Sequence, residues 1–220
     1  MENSLELPKS LTDTIAHWII EQMLHGELRP GDDLNIDALS RQFGVSQTPI
    51  REAIRVLQAE GLVEYLPRHS PRITPLDRKM VQDIYQCRIH MLCLSVRLAV
   101  EHITEEHIER IRAIVTPMRA MVRDQNTNAY FELSIGFTDL ITGIADNSIL
   151  SDIIRMLQRR SLHFRYLSLQ GAGRLEAGLA FHEMMWDAFA CRDSDQAEKL
   201  IKAHLFEARD VCLANLPDYI

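Results

Sequence analysis

From Asp77 onward the sequence shows no strand-type alternation. It runs instead as long segments with apolar residues three and four apart, at about 77–103, 104–124, 127–145, 148–169, 174–191 and 194–215. No such segment buries its stripe alone, so residues 76–220 are predicted to form an antiparallel bundle of six or seven helices. Pro117 falls inside the second segment, where a missing N–H and a ring clash should kink or break the helix.

Before about residue 75 the punctuation is much denser. Ser10 is a good N-cap for a first helix whose buried stripe is Leu11, Ile15, Trp18, Ile19 and Gln22/Met23, with Gly26 as its stop. The turn-rich GELRPGDDL follows, then a short helix from about Asn35 to Phe43 closed by Gly44. A third helix starts at Ser46 or Thr48, tolerates Pro49 in its first turn and stops at Gly61. LVEYL and PRIT, separated by Pro67, Arg68, His69 and Ser70, suit a small hairpin. Three helices and a hairpin make residues 1–75 a predicted winged helix-turn-helix, and the fold class is mostly α.

Composition narrows the function. With 46% hydrophobic and 25% charged residues among 220, neither a disordered chain nor a disulfide miniprotein fits. No apolar run reaches membrane-span length and MENSLELPKS has no secretory pattern, so no membrane partner and a cytoplasmic location are expected. Cys87, Cys93, Cys191 and Cys212 show no metal or redox spacing and are read as buried thiols. A net charge of −7 excludes indiscriminate coating of nucleic acid but leaves room for a local basic patch.

That patch lies between residues 41 and 72. Placed on a helix, GVSQTPIREAIRVLQAEG puts Ile50, Ala53, Ile54 and Leu57 on one face and Gln47, Arg51, Arg55 and Gln58 on the other. Arginine and glutamine can make paired hydrogen bonds to guanine and adenine edges. Ser46 and Thr48 stand at the helix N-terminus, where hydroxyls and free N–H groups grip phosphate. Arg68, His69 and Arg72 form a predicted cationic finger for the backbone or minor groove, and Arg41 adds to the same positive segment. A solvated helix face is the bland alternative for the strip taken alone.

LSRQFGVSQTPIREAIRVLQAEGLVEYLPRHSPRIT resembles the DNA-binding domain of the GntR family of bacterial transcription regulators. The helical remainder resembles the FCD ligand-binding domain of its FadR subgroup. Leu39, Gly44, Val45, Ser46, Thr48, Pro49, Arg51, Glu52, Ala53, Leu57, Gly61 and Leu62 stand where that pattern expects them. Gln47 replaces the usual Arg, a change from guanine towards adenine preference, and Ser70 replaces a wing glycine. The resemblance implies a homodimer on a palindromic double-stranded DNA operator.

It also implies a divalent metal in the bundle, held by an Asp, a His four residues later and two further His. His182 and His204 match the later pair, but Ser134 and Thr138 stand where the Asp and the first His are expected. Neutral hydroxyls are poor ligands for a transition metal, so no metal is assigned, with His182 and His204 as residual ligands only. Ser134, Thr138, His182 and His204 are instead expected to hydrogen-bond a small organic effector, and a protonated His would favour an anion. Arg88 matches an Arg of the family's first bundle helix and could fork onto a carboxylate or serve at the surface or a dimer interface; the acid expected after it is replaced by Met91-Leu92. Tyr130, His163, Arg165 and Tyr166 are weaker pocket candidates, and Phe181, Met184, Met185, Trp186 and Phe189 read as core.

No phosphate loop, GxSxG, HExxH or His-Asp dipeptide is present, so the chain is not expected to be an enzyme. A ligand-responsive regulator is the favoured reading. The alternatives are a metal-binding or enzymatic bundle carrying a winged helix that binds no DNA, and a regulator whose pocket is filled by side chains.

Overall fold

The computed structural model describes residues 10–24, 26–65, 69–75, 77–169 and 171–216, with backbone alone for His163 and Leu167. The chain divides into two compact units, Met1–Leu76 and Asp77–Ile220.

The first unit holds α1 (Leu11–Leu24), α2 (Ile36–Phe43), α3 (Gln47–Ala59), β1 (Val63–Glu64) and β2 (Arg72–Ile73). Its helix limits follow local chemistry. Ser10 and Asp13 exchange side-chain bonds with each other's backbone N–H at the start of α1. Asn35 Oδ1 accepts from the Ala38 N–H at 2.9 Å to start α2. Gly44, at φ 66°, ends α2 in a left-handed turn that an L side chain rarely adopts, and so fixes where α3 begins.

Ile15, Ile19, Leu34, Ile50, Leu57 and Ile73 are almost wholly buried in one core, with the Trp18 and Phe43 rings meeting edge to face at 5.4 Å on its border. The hairpin pairs Val63 with Ile73 and Glu64 with Arg72. The Pro30-Gly31 connector adds an isolated bridge, Asp33 to Arg72, beside the two-stranded sheet, which residue spacing did not reveal.

The second unit contains α4 (Arg78–His102), α5 (Glu105–Arg123), α6 (Thr127–Ile144), α7 (Ser148–Arg160), α8 (Leu162–Leu167), α9 (Arg174–Ala190) and α10 (Ser194–Asn215). Side-chain caps from Asp77, Thr104, Asn126, Asn147 and Asp193 start five of these helices. α4 packs along α10, α5 lies against α6 and α9, and α6 and α7 pack on α4. Among the described residues no helix is long and apolar enough to cross a membrane.

Three expectations are corrected. The predicted helix at 148–169 is two, because Ser161 leaves helical geometry at φ −95°, ψ 6° and its buried hydroxyl donates to the Gln158 carbonyl at 3.1 Å. Pro117 does not break α5, which runs through it; Pro117 and Ala113, whose carbonyl loses its helical donor, both lie on the exposed face where water can serve that carbonyl. Only Cys93 and Cys212 are buried thiols, whereas Cys87 and Cys191 are exposed.

Candidate nucleic-acid interface and buried pocket

On α3 the apolar stripe Ile50, Ala53, Ile54 and Leu57 is buried against the unit's core. The opposite stripe must then face solvent, and Gln47, Arg51, Arg55 and Gln58 are all exposed. The strip is partly ordered before any partner arrives. Gln47 donates from Nε2 to Asp37 on α2. Arg51 donates to Gln47 Oε1 at 3.1 Å and to the Tyr65 hydroxyl at 3.5 Å. Asp37 and the exposed Tyr65 are participants that sequence reading missed; an aromatic ending the first strand run was the available signal.

Arg41, Ser46 and Thr48 are exposed, and Ser46 caps α3 through its backbone alone, leaving its hydroxyl free of a cap bond. His69 is exposed. Arg68 lies outside the described residues. Arg72 departs from expectation: it stands in β2 rather than in the turn, and its guanidinium pairs with Glu64 across the hairpin. Its charge is therefore largely neutralised before any phosphate approaches.

Within the bundle, α4, α6, α8, α9 and α10 enclose a cavity of about 70 Å³, space for several water molecules or a compact organic acid. The five candidates taken from the sequence, Arg88, Ser134, Thr138, His182 and His204, all line it. Tyr130 and Arg165 line it too, while Tyr166 instead donates to Asn128 at 2.7 Å. The His163 side chain lies outside the described residues. In the aromatic stripe of α9, Phe181, Met185 and Phe189 are core as expected, but Met184 is exposed.

His182 is buried, with Nδ1 2.7 Å from the Gly178 carbonyl and 3.0 Å from the Tyr130 hydroxyl. A carbonyl only accepts, so Nδ1 carries the proton and Nε2 is left with its lone pair. A Cβ on Gly178 would stand 2.4 Å from the Tyr130 oxygen, so this glycine makes the Tyr130–His182 contact sterically feasible. His204 stacks on Phe181 with ring centroids 3.8 Å apart. Burial, the first cause for both rings, pushes His182 down to about 4 and His204 to about 3, with neighbouring arginines acting in the same direction. Both are held in the neutral form near pH 7, so neither ring meets the condition under which a His would favour an anion.

The positive charge comes from elsewhere. Arg88 is buried, not at the surface, and lies over the Tyr85 ring at 5.1 Å. Its Nε and Nη1 are buried without a hydrogen-bond partner among the described residues. Arg165 is also buried, stacked over Phe131 at 5.3 Å and donating to Gln158 at 3.4 Å. Burial first, then the Arg88 charge, lowers Arg165 to about 9. Among the described residues no Asp or Glu lines the cavity.

Ser134 Oγ donates to the Phe131 carbonyl at 2.7 Å and Thr138 Oγ1 to the Ser134 carbonyl at 3.0 Å. These hydroxyls have committed their protons to α6 and offer only lone pairs to the cavity. Among the described residues no group of three or more His, Cys, Asp or Glu is placed to hold a metal ion.

Comparison with known proteins finds a family match in each of the two units. Residues 11–73 match the gntR family of bacterial regulatory proteins, and residues 83–207 match the FCD domain. The HTH-type transcriptional regulator YdhC of Bacillus subtilis is 27% identical over 186 residues, covering 84% of this chain and 83% of its own. The HTH-type transcriptional repressor RspR of Escherichia coli is 26% identical over 207 residues, covering 94% and 91%.

The solved structure of Escherichia coli McbR/YncC matches with a TM-score of 0.79 at 21% identity, over 93% of this chain and 97% of that one. A GntR regulator from Rhodococcus sp. RHA1 gives 0.79 at 18%, over 94% and 99%. The curated relatives are named as transcription regulators, in line with a regulatory rather than an enzymatic bundle. With one match covering the helix-turn-helix unit and the other most of the bundle, the chain belongs to the GntR family of bacterial transcription regulators and carries an FCD domain.

Proposed function

We propose that this regulator binds a palindromic operator as a homodimer in the bacterial cytoplasm, within the FadR subgroup, and that a small organic carboxylate in the bundle cavity alters operator occupancy. Residues 1–75 are the DNA-reading domain and residues 76–220 the effector and dimerisation domain. The observation that carries the reading is the outward strip of α3, with Arg51 held by Gln47 and Tyr65 at the surface while the opposite face is buried. Arg51, Arg55 and Gln47 would meet base edges in the major groove; Ser46, Thr48 and Arg41 would meet phosphates. Arg68 and His69 would reach the backbone or minor groove, and Arg72 contributes less because Glu64 already pairs with it.

Coupling requires only that the effector bind one arrangement of the bundle better than another, since that difference becomes a shift in DNA affinity. Arg88, with two buried donors lacking partners among the described residues, argues for a ligand site over a cavity closed by side chains. Arg51→Ala and Arg55→Ala are each expected to weaken operator binding by about 1–3 kcal/mol, roughly tenfold to a hundredfold, with an unchanged circular-dichroism spectrum. A gel-shift titration in which both variants keep parental affinity rejects the reading.

A further inference from the structure

We infer that this bundle holds its anionic effector without a divalent metal, the buried guanidiniums of Arg88 and Arg165 supplying the positive charge. The inference rests on the effector reading above and concerns how the charge of the ligand is met.

The metal implied by the resemblance does not fit the residues present. Two of its four expected ligands are the hydroxyls of Ser134 and Thr138, whose protons already go to helix carbonyls. Among the described residues, His182 and His204, with ring centroids 6.5 Å apart, are the imidazoles lining the cavity, and no described carboxylate joins them. A dication would enter a cavity whose described lining holds two guanidiniums and no carboxylate, an unfavourable charge arrangement that Asp139, reached only through Gln158, offsets in part from outside the lining.

The same inventory suits an anion. Arg88 has two donors with no partner among the described residues, and Arg165 spends one on Gln158. Arg174, the next cation, is different: it pairs with Glu207 and donates to the Ser168 carbonyl at 2.9 Å, so its charge is already met at the surface. Arg88, with two open donors, and Arg165, offset only by Asp139 outside the lining, call for added negative charge, which a compact dicarboxylate supplies. The unprotonated Nε2 of His182 and the hydroxyl lone pairs would then accept from hydroxyl groups of the ligand rather than contact its carboxylates.

The test uses the full chain, stripped with EDTA, with succinate as dianion, butyrate as monoanion and succinamide as neutral control. Thermal midpoints are read with and without added zinc, nickel or manganese. Succinate should raise the midpoint of the stripped protein, more than butyrate and with no further gain from metal, whereas succinamide should do nothing. Arg88→Met and Arg165→Met should each weaken the succinate response by about tenfold or more in affinity. Without succinate, Arg88→Met should melt at or above the parent, because an apolar chain of similar length replaces an unpaired buried charge.

A response that needs metal and disappears in His204→Gln overturns the inference while leaving the effector reading intact. So does a metal-free response that Arg88→Met retains. No response to succinate or butyrate under either condition overturns both.

Discussion

His182 shows how much of the cavity's behaviour is set by one side chain. Its ring is fixed by the Gly178 carbonyl and the Tyr130 hydroxyl and is buried on all sides, so burial holds it down to about 4. In the unfolded chain the same group titrates near 6.5, so as pH falls the unfolded state takes up the proton first. The stability contributed by the neutral ring is therefore complete above about pH 6.5 and declines toward pH 4, at up to about 1.4 kcal/mol per pH unit. His204, pushed down to about 3, acts in the same direction. Urea midpoints between pH 7.5 and 5 should fall more steeply for the parent than for His182→Gln; equal slopes would mean that the native ring protonates freely. The residues of this site were legible in the sequence because family positions named them, but their charge states were not. Neutrality of the two imidazoles and the orphaned donors of Arg88 arise from burial among five helices, which spacing along the chain does not encode.

At the scale of elements, what the sequence disclosed was what local chemistry decides. Ser10, Asn35, Gly44 and Asp77 act within four residues of the helix end they define, so those limits could be read directly. The break at Ser161 depended on a buried hydroxyl finding the Gln158 carbonyl, and the Asp33–Arg72 bridge on a connector folding back onto the hairpin. The bridge has no local signal, and the Ser161 bond, though only three residues long, is one that serines also make inside unbroken helices, so its presence did not mark a break. Pro117 misled for a related reason: the rule against interior proline assumes that the freed carbonyl is costly, whereas here proline and the residue four before it are exposed. The lost helix bond and ring clash still weaken α5. Pro117→Ala should therefore raise stability by about 1–2 kcal/mol, less than the roughly 3 kcal/mol helix-interior difference because the unfolded chain regains freedom. An unchanged or lower denaturation midpoint would show that the helix is bent to need proline there.

For the whole molecule the decisive question is how one reading strip becomes two. α7 has apolar residues on both sides: Leu150, Ile154 and Leu157 are buried in the bundle, while Ile149 is 69%, Ile153 37% and Met156 44% exposed. An outward stripe at spacings of four and three is what a second copy of the same helix can cover, and a two-fold axis would serve a palindrome. Replacing Ile149 and Ile153 together by Glu should leave the inward face, and hence the fold, intact. Sedimentation should then report a monomer where the parent gives the proposed dimer. Operator affinity should drop by about 10²-fold or more, since each α3 then binds its half-site without the effective concentration supplied by its tethered twin. Because Gln47, Arg51 and Arg55 are untouched, the remaining binding should resemble that of the parent for a single half-site. A double variant that still sediments as a dimer would move the interface off α7; a monomer that keeps full affinity for the palindrome would remove dimerisation from operator recognition altogether.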